Sequence, residues 1–114
     1  MSEIVLETPD QLYAELAIDF MAENAGKYDF DRLVEIGKRL YEKNKARIAI
    51  AVCTSPNVRE AYVSYKEKED AYMLLAVIAD VIAALTIGVS PIVAAKLTVK
   101  LGLEALCRDH WKTS

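Results

Sequence analysis

The chain has 114 residues, of which 54% are hydrophobic and 27% charged. That is enough for one core and too apolar for a disordered segment, and two separate cores would each be too small to be stable. A net charge of -3 with a pI near 5.2 excludes a general attraction to nucleic acid or anionic lipid, which requires basic residues in excess.

The start, "MSEIVLETPDQ", is acidic and lacks a basic segment followed by an apolar run, so no secretory signal is expected there. Three prolines follow hydroxyl residues, at Thr8-Pro9, Ser55-Pro56 and Ser90-Pro91. Each pair predicts a helix start, because the hydroxyl accepts from an orphan backbone N–H and proline is tolerated at the first helical position. Thr8 with Gln11 also makes a capping box. The first helix is therefore expected over about 9–25, with Leu12, Leu16, Ala17 and Phe20 on its core face and Gly26 at its end.

Asp29 predicts a second start, running to about residue 53, with Tyr28 and Leu33 as a hydrophobic staple. Phe30, Leu33, Leu40, Tyr41 and Ile48 form the apolar stripe. Gly37 and Asn44 interrupt it, the first permitting close helix approach and the second being read as a satisfied core amide rather than a ligand. Residues 47–53, "RIAIAVC", can also be read as a strand pairing with "EIVL" near the start. A two-stranded sheet is marginal, and nothing before Arg47 breaks the helical pattern, so the helix is preferred.

A third helix over about 56–87 would be unusually long, and a break near "SYKEKEDAY" divides it into an amphipathic and an apolar half. The last helix spans about 91–109, with Lys96, Lys100, Glu104 and Arg108 as a charged stripe. The expected fold is all-α: one domain over 1–114, a bundle of four to five helices with an apolar C-terminal αα-hairpin over 71–107.

That hairpin raises a membrane question. Ala71 to Ile87 carries one charge, Asp80, and just reaches the lower length of a span. A central charge costs about 2.5–3.5 kcal/mol on insertion, and two lysines on the second limb add to it. A soluble core hairpin is preferred. Insertion stays as the alternative, since an apolar hairpin sheathed by amphipathic helices resembles colicin-type pore-forming domains in layout only, without a shared motif.

No chemistry is written in a recognisable form. The single histidine, His110, lies near the end of the chain, the four glycines are scattered without a phosphate-binding spacing, and Cys53 and Cys107 lack zinc or CxxC spacing. No catalytic residue, cofactor or metal ligand is expected, and the cysteines are read as buried free thiols in a reducing cytoplasm. The residues singled out for interaction or switching are Asp80, Lys96, Lys100, Tyr62 and Tyr65. Asp80 is expected to pair with Lys96 or Lys100 across the hairpin turn, and the amphipathic tyrosines suit a core edge or an interface. The first functional reading is a non-enzymatic helical interaction or assembly module, self-associating or bound to a protein partner. The others are a membrane-active effector that inserts residues 71–107 and an enzyme with an unfamiliar site.

Overall fold

The computed structural model describes Val5, residues 7–68 and residues 71–111. Among these the chain is all-helical, with α1 Pro9–Met21, a 3₁₀ turn Ala22–Lys27, α2 Phe30–Thr54, α3 Pro56–Lys68, α4 Ala71–Ala84, α5 Pro91–Leu101 and α6 Leu103–Trp111. Six α-helices stand where four to five were expected, and local chemistry accounts for every start that was anticipated. Thr8 and Gln11 exchange both capping-box bonds, at 2.8 and 3.1 Å. Asp29 accepts from the Arg32 N–H at 2.9 Å, and Ser55 and Ser90 accept from Val58 and Val93 at 3.3 and 3.4 Å. All three prolines occupy the first position of their helices.

The ends are less local. The first helix stops at Met21 rather than near residue 25, because Ala22 takes a left-handed φ of 52° and the chain tightens into a 3₁₀ turn. Phe20 and Phe30, both expected inside, flank this corner and are exposed. Leu33 is buried against Ala14, Ala17 and Ala25, while Tyr28 is exposed. Residues 47–53 are helical throughout, which removes the strand reading; apart from Val5, "EIVL" lies outside the described residues.

The core joins Leu12 and Leu16 of α1, Ile48 and Val52 of α2, Val58 of α3, Leu74, Ile78 and Ile82 of α4, and Leu97 of α5. Helix α1 packs on α2 and α5, α4 lies between α3 and α5, and α6 closes on α2. At Gly37 α1 and α2 approach closely: a Cβ there would overlap the Tyr13 backbone carbonyl. Asn44 donates to the Leu40 carbonyl at 2.9 Å and is satisfied within its own helix. Tyr41 and Thr98, both buried, share a 2.9 Å hydrogen bond. The Thr98 hydroxyl already donates to the Ala94 carbonyl, so the phenol is the donor between them. Burial pushes that phenol up to about 12.

Two expectations about the C-terminal half are overturned. The helix expected over 91–109 breaks at Gly102, whose φ of 114° suits glycine, and its N–H closes α5 on the Thr98 carbonyl. The charged stripe is thereby divided between two helices. The cysteines are not free thiols: Cys53 and Cys107 form a disulfide, with Cα atoms 5.2 Å apart, that ties the last turn of α2 to α6. The free-thiol argument for a reducing compartment therefore falls away.

Candidate functional site

Helix α4 buries three residues spaced four apart, Leu74, Ile78 and Ile82. Asp80 lies two positions from both Ile78 and Ile82, about 200° around the helix, and so points away from the core. It is exposed and makes no ion pair among the described residues. The expected pairing with Lys96 or Lys100 does not form, because both lysines lie on the side of α5 that meets the N-terminal segment. Lys96 Nζ is 3.0 Å from Glu7 Oε2, and Lys100 Nζ donates to the Val5 carbonyl at 3.1 Å. The lysine hydrogen bond and charge hold the Glu7 carboxyl below its usual value.

Around Asp80, the outward face of α4 is apolar. Tyr72 is 87% exposed and Met73 53%, and Ala76, Ala83 and Ala84 are exposed as well. Helix α3 lies antiparallel alongside, leaving a groove of about 390 Å³ that includes Glu60, Ala61, Ser64, Val77, Asp80 and Val81. Among the described residues, no lysine or arginine lines it.

Tyr62 and Tyr65 lie on α3, off this face. Both are half-buried and pack on the core. The Tyr62 ring rests on Trp111, with centroids 5.3 Å apart. Burial, followed by the hydrogen bond and charge of Glu104, pushes the Tyr62 phenol well above its ordinary value. The Tyr62 bond, and then Lys66 at 2.9 Å, lower Glu104 in turn. The Trp111 indole N–H donates to the Cys53 carbonyl at 3.0 Å, and Arg59 Cζ lies 5.8 Å from the indole ring. These contacts cluster beside the disulfide and make Tyr62 part of a helix-to-helix clasp.

No family model, curated protein or solved structure matches this chain. The site is therefore read from its geometry alone. The structure brings together Tyr62, Glu104 and Lys66 in one cluster, and Lys96 and Lys100 in another. Asp80 stands apart from both, in the α3–α4 groove.

Sequence reasoning missed the disulfide corner and the contacts of Lys96 with Glu7 and of Lys100 with Val5. The 74/78/82 ladder places Asp80 on the outward side of α4, whereas turn position, on which the expected lysine pair rests, does not specify how α5 is rotated.

Proposed function

We propose that the protein is a non-enzymatic helical interaction module that self-associates through the outward face of α4. The observation that carries this reading is that face itself: a helix with Asp80 as its only charged residue exposes Tyr72, Ala76, Ala83 and Ala84. Large contiguous apolar surface on a small domain marks a contact site, and tyrosine is enriched in such contacts.

Antiparallel self-pairing of α4 sets the bulky Tyr72 end over the small Ala83–Ala84 end of the second copy, an isologous arrangement that fills space on both sides. At 14 residues the helix is about 21 Å long. That length covers only part of the roughly 800 Å² per partner typical of stable interfaces, so the association is weak unless α3 contributes.

The same length disfavours the insertion reading, since a hydrocarbon core is about 30 Å thick. Among the described residues, no helix is long and apolar enough to cross a membrane.

Sedimentation velocity over a concentration series tests the proposal. The sedimentation coefficient should rise with concentration for the native chain and stay at the monomer value for Ala76→Glu, with unchanged helicity. A native chain that remains monomeric at the highest concentration defeats self-association.

A further inference from the structure

The disulfide lies beside an opening and at the foot of a hinged element. A hollow of about 360 Å³ borders Cys53, with Pro56, Arg59, His110 and Trp111 in its wall. Cys53 lines this hollow and Cys107 does not, so a reagent in the hollow meets the Cys53 side of the bond first. Arg59 and the positive end of the α3 N-terminus place favourable charge there for an incoming thiolate.

Helix α6 is a short element on a single-residue joint. It has nine residues, Leu103 and Cys107 are its buried ones, and Gly102 separates it from α5. A helix of that length is marginal without tertiary support. Its far end is tied to Cys53 a second time, through the Trp111 indole. Covalent and hydrogen-bonded restraint on α6 therefore converge on one residue at the end of α2.

We propose that Cys53–Cys107 is a reducible latch: a dithiol enters through the hollow, opens the bond at Cys53, and frees α6 to swing about Gly102. One thiolate of the reductant attacks Cys53 Sγ. The sulfur–sulfur bond breaks, and Cys107 leaves with the electron pair and takes a proton. The second thiol of the reductant then attacks the mixed disulfide, forming the reductant's own disulfide and releasing Cys53 as a thiol. In total two electrons and two protons pass to the cysteine pair. Release of α6 uncovers Leu103 and the wall of α2 beneath it, a change independent of the α4 face.

The test treats the oxidised full chain with dithiothreitol under native conditions, following thiol formation by alkylation and mass measurement, and hydrogen exchange before and after. Reduction should go to completion without denaturant, and amides of 103–111 should fall to local-opening exchange, at least about tenfold less protected than those of α1, α4 and α5, whose protection falls only as far as the global stability does. Arg59→Gln should slow reduction several-fold. If Arg59 only steadies Trp111, the same change loosens α6 and speeds reduction, which overturns entry through the hollow. Reduction that requires denaturant, or 103–111 remaining as protected as α1, α4 and α5 after reduction, overturns the latch. The Cys53→Ser/Cys107→Ser double variant should reproduce the reduced exchange pattern without any reductant, and its failure to fold would also count against the proposal.

Discussion

Gly37→Ala sets two effects of opposite sign against each other, and the structure decides which is larger. Alanine is favoured over glycine in a helix interior by about 1 kcal/mol, so on an uncrowded helix the change would stabilise. At Gly37 the new Cβ would overlap the backbone of Tyr13, which cannot rotate aside as a flexible side chain can. Helix α1 must back away from α2 along an interface that includes the fully buried Leu12 and Leu16. Overpacking costs about 1–3 kcal/mol, and partial loss of contact at two buried leucines brings the total to about 3–4 kcal/mol. Subtracting the propensity gain leaves a net loss of about 2–3 kcal/mol. For a chain of this size that corresponds to a melting temperature lower by about 8–12 °C. Thermal and urea unfolding followed by circular dichroism measure it. Gly26→Ala is the control, because nothing lies within 4 Å of a Cβ at that position, and it should change stability by no more than about 0.5 kcal/mol. If Gly37→Ala matches or exceeds the native stability, α1 and α2 do not approach as described here.

Three further outcomes are expected. Thr98→Val should cost more than Tyr41→Phe, about 1–3 against about 1 kcal/mol, because the first strands a buried phenol while the second leaves the Thr98 hydroxyl bonded to Ala94; equal losses in urea unfolding would contradict the assigned donor direction. Glu7 has a folded pKa lowered from 4.5, so its pairing with Lys96 contributes above about pH 4.5 and is lost as pH falls through the lowered value. The stability gap between the native chain and Glu7→Gln should therefore be about 0.5–1 kcal/mol at pH 7 and close on acidification, and a gap that widens in acid would reverse the sign. Loss of the disulfide, whose cysteines are 54 residues apart, should lower unfolding stability by up to about 4 kcal/mol on a chain-entropy basis; a urea midpoint unmoved by reduction would show that the bond does not constrain the unfolded chain.

The sequence by itself determined the helical class and where helices begin, because capping is chemistry among residues three or four apart. Thr8 with Gln11, Asp29, Ser55 and Ser90 carry their partners within one turn, and the prolines beside three of them remove a donor that no helix would use. The close approach at Gly37 and the satisfied amide of Asn44 were legible for a similar reason, since helical periodicity places both on the packed stripe. Of the candidate site, the apolar run of α4 and its lone Asp80 could be read directly, and so could the direction in which Asp80 points. The partners could not. Whether Lys96 and Lys100 meet Asp80 or the N-terminal segment depends on how α5 is rotated against its neighbours, which turn position does not specify. The Gly102 break interrupts an apolar periodicity that reads as continuous, because one glycine in a helix is tolerated and only the packing of α6 on α2 requires its left-handed φ. That same packing set Tyr62 against Trp111 and brought Cys53 to Cys107, since two cysteines 54 residues apart are joined only when the helices that carry them meet.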